Sequence, residues 1–271
     1  MNARMTWEQA VQWLREQPDM QGLVRACYFD DPLAQAAERF RAGPEWQGMR
    51  RLLPRPGKAL DIGAGRGVVA YALAKEGWQS VALEPDDSAL VGAQAITDLA
   101  RKSGVDIEVV RAAAEALPFA DASFDAVICR QSLHHARDLR TMCREAARVL
   151  KPGGVFLAAR EHVISSGSDL PAFFERHPLH RLYGGENAYP LAEYVEAIRA
   201  AGIGLTHVLN PCQSEINAFP GSLLEIKRRL AGPLWPLAFL IPDAMLGRLG
   251  DKDKTPGRLY TFRGIRAESG A

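Results

Sequence analysis

Two hydrophobic periodicities divide the chain. From residue 7 to 53, apolar positions recur at helical spacing, as in WEQAVQWLREQ. Asp31-Pro32 opens a second helix through AQAAERF, and Gly43-Pro44 opens a third, because proline is tolerated in a first helical turn. From residue 58 short apolar runs alternate with helical patterns. KALDI, SVALE, IEVVRA, FDAVICR and GVFLAARE read as strands, the last after a turn at Lys151-Pro152-Gly153-Gly154. Between them GVVAYALAKEG, SALVGAQAITDLARKSG and LRTMCREAARVL read as helices, the first two ending at Gly77 and Gly104. Such alternation predicts an α/β fold with a doubly wound, mostly parallel sheet covered by helices on both faces.

After residue 162 the rhythm is lost. HVISSGSDLPAFFERHPLHRLYGGENAYP is long, aromatic and rich in turn residues, and LAEYVEAIRAAG then forms a clear helix ending at Gly202. LTHVL and RLYTFRGI add two strands, which makes a seven-stranded sheet. Three parts are expected: an N-terminal helical cap over 1–55, a ligand-binding Rossmann-like core over 56–162, and a substrate-side insertion with the last strands over 163–271. The run PLWPLAFLIPDAML, 233 to 246, is too short to span a bilayer, which takes roughly 20 apolar residues. Pro233, Pro236 and Pro242 break it into a buried helix-turn segment, with a pocket wall or a lipid-touching surface as the alternatives.

Composition changes this picture little. The 271 residues carry a formal net charge of +1, which gives no electrostatic reason to expect nucleic acid or an anionic membrane as partner. The four cysteines are far apart and form no disulfide-like or CxxC pattern. Glu8 interrupts the first apolar stretch, so the start is no secretory signal, and a cytoplasmic protein is expected.

The chemistry begins at LDIGAGRG, residues 60 to 67. Its spacing, Gly63-x-Gly65-x-Gly67, differs from the dinucleotide fingerprint, and Asp61 closes the strand before it. In a doubly wound sheet this turn lies at the carboxyl ends of the strands, where ligands bind. Glycines let backbone approach a ligand, and the following helix offers N–H groups. An aspartate there repels a pyrophosphate but suits an ammonium, so the ligand has an amino-acid head group. Glu84, at the end of the next strand about 20 residues on, is placed to receive two ribose hydroxyls. A ribose joined to an amino acid describes S-adenosylmethionine.

LDIGAGRG, ALEPD, AEALPFADASFDAVICRQSLHHARD and REAARVLKPGGVFLAARE, in that order, resemble class I S-adenosylmethionine-dependent methyltransferases. The likeness is to the small-molecule group with ALPF and HH-x-x-D signatures, which includes quinone-biosynthesis enzymes, and it covers residues 58 to 161. It implies Asp61, Gly63, Ala64 and Gly65 around the methionine moiety and Glu84 on the ribose, with Pro85 and Asp86 beside the adenosine. It further implies Ala113, Ala114 and Glu115 along the adenine, and Arg130 and Gln131 at the methionine end. Ala113 replaces an aspartate common in the family, so the contact to the adenine amine is in question while the cofactor is not.

His134 and His135 follow the fourth strand at the mouth of the site. One of them can take a proton from an acceptor, or it can pack to fix the loop. His134, His135 and His162 can converge, but no metal-ligand spacing forces this and no metal is expected; His177 and His180 are assigned to a lid surface. Tyr28, His162, Tyr183 and Glu186 are candidate substrate residues, the last two in the turn Tyr183-Gly184-Gly185-Glu186-Asn187. The expected activity is in-line methyl transfer to a small molecule, with alignment and water exclusion doing most of the catalysis. A homodimer is an expected assembly. A nicotinamide-dependent oxidoreductase is disfavoured by Val68 and Asp61, and a non-catalytic cofactor-binding subunit stays open.

Overall fold

The computed structural model describes residues 5–183 and 185–268. Its sheet contains β1 Lys58–Ile62, β2 Gln79–Leu83, β3 Ile107–Val110, β4 Phe124–Arg130, β5 Leu150–Ile164, β6 Tyr189–Pro190, β7 Ile203–Leu209 and β8 Arg258–Arg266. The strand order is β3-β2-β1-β4-β5-β8-β7, with β6 alongside β5. Pairings are parallel except those of β8, which runs antiparallel to β5 and β7. The sheet therefore has eight strands, not seven. The extra one, β6, is two residues long and ends in proline, too short to leave a period in the sequence.

Burial explains the apolar strands. Along β1, β4 and β5 successive side chains point to opposite faces. Leu60, Ile62, Val127, Cys129 and Phe156 pack on one side, against the helices Leu139–Val149 and Leu191–Ala200. Ala59, Ala126, Ile128 and Leu157 pack on the other, where Phe40, Trp46 and Met49 of the N-terminal helices reach the sheet. Asp138 caps the helix Leu139–Val149 by accepting from Thr141 N at 3.0 Å.

Three expectations need correction. The helix expected from residue 88 begins at Ala93, because Glu84, Asp86 and Ser88 fold the intervening chain into a side-chain-bonded turn. Gly92 lies so close to that turn that a Cβ there would be 2.5 Å from the Asp86 carbonyl oxygen. Lys151-Pro152-Gly153-Gly154 is no free turn but the start of β5, paired irregularly with β4 where the register slips between Phe124 and Ala126. The stretch 233–246 is mostly exposed, with only Ala238 and Leu246 of it buried. Leu234 and Phe239 are each 65% exposed, because the prolines give an irregular 3₁₀ segment, Gly232–Leu240, with no continuous face to pack. No helix among the described residues is long and apolar enough to cross a membrane.

Cap and insertion meet over the carboxyl ends of the strands. Met5 N donates to Leu182 O, Trp7 packs edge-on to Tyr183 at 5.2 Å, and Leu179 joins Ala10, Val11 and Leu14 in one small core. A buried ion pair fixes the cap to the sheet. Glu45, fully buried, takes Arg130 at 2.5 and 3.1 Å, with Arg160 at 3.7 Å. Two guanidiniums then share one carboxylate, and removing that carboxylate strands both. Glu45→Ala is expected to lower unfolding free energy by about 3–5 kcal/mol in urea titration, the usual cost of breaking a buried pair. A loss under about 1 kcal/mol would show that water reaches the arginines.

Candidate active site

The site is built at the switch between β1 and β4, where neighbouring strands diverge in their connections. Gly63, Gly65 and Gly67 all have positive φ, at 69°, 54° and 80°. Their reasons differ. A Cβ on Gly63 would sit 2.6 Å from Ser132 Cβ, so this glycine lets the loop after β4 lean on the turn. A Cβ on Gly65 would meet nothing within 4 Å, so that side of the turn is open. Ser132 Oγ donates to Ile62 O at 2.7 Å and locks the two loops together.

Two acids flank the turn. Asp61 is 1% exposed, its Oδ2 has no hydrogen-bond partner, and burial pushes its pKa up to about 7. Glu84, directly after β2, accepts from Gly65 N at 2.7 Å and Asp86 N at 3.0 Å, and burial raises its pKa too. Arg66, within the turn, reaches out to the cap. It donates to the carbonyls of Tyr28 and Asp30 and pairs with Asp31 at 2.6 Å.

The loop after β4 is organised by Glu161. A bulge in β5 between Ala158 and Glu161, with Arg160 at φ 59°, breaks the alternation of side chains. Arg160 is sent to the cap and Glu161 to the loop after β4. Fully buried, Glu161 accepts the backbone N–H groups of Ser132, Leu133 and His134 at 3.1–3.2 Å, and His134 Nδ1 lies at 2.7 Å. Burial holds His134 well below the ordinary imidazole range, so it is neutral at pH 7. The hydrogen-bond network assigns its proton to Nδ1, which leaves the Nε2 electron pair free.

That nitrogen faces Glu186 at 3.8 Å, and His135 Nε2 faces the same carboxyl at 4.0 Å. Burial pushes Glu186 up to about 8, and its Oε2 has no partner. Four further ring contacts extend the cluster into a row. His135–His134, His134–His162, His162–His180 and His180–His177 have centroid separations of 4.1, 4.8, 4.9 and 4.8 Å. His177 and His180 are thus not lid-surface residues. Burial pushes His180 down to about 2 and His177 to about 4, which the surrounding Phe173 and the other rings account for.

The sequence candidates fall into two groups. Asp61, Gly63, Ala64, Gly65 and Glu84 gather at the turn, with Pro85 exposed and Asp86 beside them. His134, His135, His162, Tyr183 and Glu186 gather in a second cluster; Gly184 of that turn lies outside the described residues. Tyr28 and Arg130 join neither. Arg130 is committed to Glu45, and its guanidinium lies 5.5 Å from the Tyr28 ring, which stacks on Phe219. Ala113 is exposed past the end of β3, Ala114 is half-buried, Glu115 accepts from Arg137 N at 2.9 Å, and Gln131 is half-buried at φ 50°. Glu161, Arg66 and Ser132 carry the geometry without having been singled out. An acid ending the apolar run GVFLAARE was the available signal, because a charge in a buried strand needs partners.

A methyltransferase-domain family profile matches residues 60–158. A probable S-adenosylmethionine-dependent methyltransferase of Mycolicibacterium smegmatis is 30% identical over 206 residues, covering 73% of this chain and 74% of that protein. The chain belongs to the S-adenosylmethionine-dependent methyltransferases. The 27-O-demethylrifamycin SV methyltransferase of Amycolatopsis mediterranei is 36% identical over 149 residues, 54% of this methyltransferase and 53% of that one. The methyltransferase YcgJ of Bacillus subtilis is 38% identical over 101 residues, 37% and 39% of the two chains. The chain therefore spans about half or less of the length of these last two relatives. The YcgJ crystal structure shares the fold, with TM-score 0.54 at 22% identity over 83% of this methyltransferase and 97% of that chain.

The two glycines of this methyltransferase separate packing from binding. Gly63→Ala is expected to destabilise the fold by more than 1 kcal/mol in thermal unfolding, through its clash and the left-handed backbone together. Gly65→Ala carries only the backbone strain of about 1 kcal/mol, yet its methyl enters the open side and lowers cofactor affinity in calorimetry. Equal effects of both substitutions on stability and binding would remove the distinction.

Proposed function

We propose that this chain transfers a methyl group from S-adenosylmethionine to an oxygen of a small hydroxylated molecule. The observation that carries the cofactor assignment is a buried Asp61, whose Oδ2 has no hydrogen-bond partner, at a turn with an open side at Gly65, and the likeness to the 27-O-demethylrifamycin SV methyltransferase supports oxygen as the acceptor atom. A cationic amino-acid head group fits there, since it supplies the charge and the donors that Oδ2 lacks. Glu84 stands one strand over as acceptor for ribose hydroxyls, exchanging some of its present backbone bonds for them. The small-molecule signatures AEALPF and HHARD support the acceptor class, as does a net charge of +1, which offers nucleic acid no attraction.

Bound at this turn, the cofactor supplies a methyl group on a positively charged sulfur. The residues of the chain then align and protect. Ser132 holds the loop after β4 against Gly63, so His134, two residues on, stands beside the methionine end of the site. Its free Nε2 electron pair, 3.8 Å from the Glu186 carboxyl, can accept a hydrogen bond from an acceptor hydroxyl, and Glu161 fixes the ring by Nδ1. Trp7 from the cap and Tyr183 from the insertion pack edge-on to His135 and shield that side from water.

Isotope-labelled S-adenosylmethionine incubated with metabolite extracts should label small molecules at oxygen; label only on nitrogen or carbon would contradict the acceptor assignment. Glu84→Ala should weaken cofactor binding at least tenfold, about 1.4 kcal/mol, in a folded protein. Affinity should also depend on pH with a definite sign. Asp61, raised to about 7 in the free protein, is protonated below that pH, and the ammonium requires the carboxylate. Cofactor affinity should therefore rise from pH 6 toward pH 8 and then level off, with proton release visible by calorimetry in two buffers. Asp61→Asn should flatten the slope. A flat profile in the wild type would place the ammonium elsewhere.

A further inference from the structure

The row of rings ends in a feature that methyl transfer by alignment does not require. His134, His135 and Glu186 each offer one ligand atom, and the three atoms lie within 4.8 Å of one another. Glu186 is 3% exposed, and its Oε2 has no hydrogen-bond partner. A buried carboxyl oxygen without a hydrogen-bond partner costs free energy. Something positive at that point removes the cost.

We infer that His134 Nε2, His135 Nε2 and the Glu186 carboxylate form a binding site for a divalent transition-metal ion at the acceptor side of the cofactor turn. This rests on the assignment of that side as the acceptor site. Two imidazoles and one carboxylate are the donors that zinc, cobalt and iron(II) accept, and three protein ligands leave coordination positions open. The tautomer is already correct. His134 directs Nδ1–H to Glu161, the carboxylate–histidine–metal arrangement that orients a ligating ring and raises its basicity. His135 Nδ1 likewise faces Gly185 O at 3.5 Å, leaving its Nε2 for the ion. An ion set between three atoms so spaced lies within about 2.8 Å of each, and side-chain shifts of about 0.7 Å bring it to metal-bond distance of roughly 2.1 Å. His135 is 32% exposed on its side chain, so the open positions face the mouth rather than the core. Such a site selects acceptors with two adjacent oxygens, which can chelate the ion and present one oxygen to the methyl group.

The test uses Co²⁺ as the probe on the full chain, purified and treated with chelator. Saturable binding of one ion is expected, with the visible absorption of cobalt in a nitrogen–oxygen site. Glu186→Gln should weaken that binding at least tenfold, and Glu161→Gln, which acts through His134, by roughly ten- to a hundredfold. His207→Ala, on an exposed histidine of β7 outside the row, should leave it unchanged. Because His134 is buried, circular dichroism and calorimetry with S-adenosylhomocysteine on every variant check that fold and cofactor site persist. Absent saturable binding, or equal affinity in wild type and Glu186→Gln, overturns the inference. If Co²⁺ binds as expected but labelled methyl never reaches a small molecule, the metal site stands and the acceptor assignment fails instead.

Discussion

One buried carboxylate organises both halves of the site. Glu161 accepts the amides of Ser132, Leu133 and His134 while facing His134 Nδ1, so the short 3₁₀ turn Leu133–His135 after β4 is pinned to β5. Ser132, fixed in this way, locks to Ile62 and rests on Gly63, which sets the shape of the glycine turn. His134, fixed by the same group, turns its other nitrogen toward Glu186. Such a carboxylate tolerates burial because three backbone amides and the His134 ring satisfy it; each lost bond would leave a buried oxygen less satisfied. The bulge in β5 is what turns it inward, and the strained backbone at Arg160 is the local price of that aim.

The same bulge explains why the cap belongs to the site rather than decorating it. Arg160 and Glu161 are sequence neighbours that leave the sheet toward different partners. Arg160 donates to Ile216 O and Phe219 O and lies near Glu45, tying the cap and the segment after β7 to the sheet. Arg66 repeats the idea from the glycine turn by binding the Tyr28 and Asp30 carbonyls. The cap is thus anchored at two points that border the cofactor turn. Asp31 pairs with both Arg66 of that turn and Arg15 at the end of helix Trp7–Arg15, so charged contacts join the helix to the turn.

The legible part of the fold was the part governed by period and by glycine. KALDI and FDAVICR read as strands because parallel strands buried on both faces are apolar throughout, and the structure reproduces their bounds. Asp61, Gly63, Gly65 and Glu84 could be singled out because their spacing has a physical meaning at a strand end, and they do gather at one turn. What depends on distant residues was not legible. The convergence of His177 and His180 on His162 follows from the path of the insertion, and single histidines carry no periodic signal. The exposure of Leu234, Trp235 and Phe239 ran against composition, since three prolines left that segment nothing to pack as a face. Glu45 lies in a helix that reads as ordinary and amphipathic, and only the tertiary fold brings it to Arg130.

The most direct measurement is a crystal structure of the chain with S-adenosylhomocysteine. The expected result has the amino group within hydrogen-bond distance of Asp61, both ribose hydroxyls on Glu84, and the sulfur directed toward His134 across the open side of Gly65. A ligand bound away from the glycine turn, or seated there with its amino acid turned from Asp61, would contradict the assignment of the site.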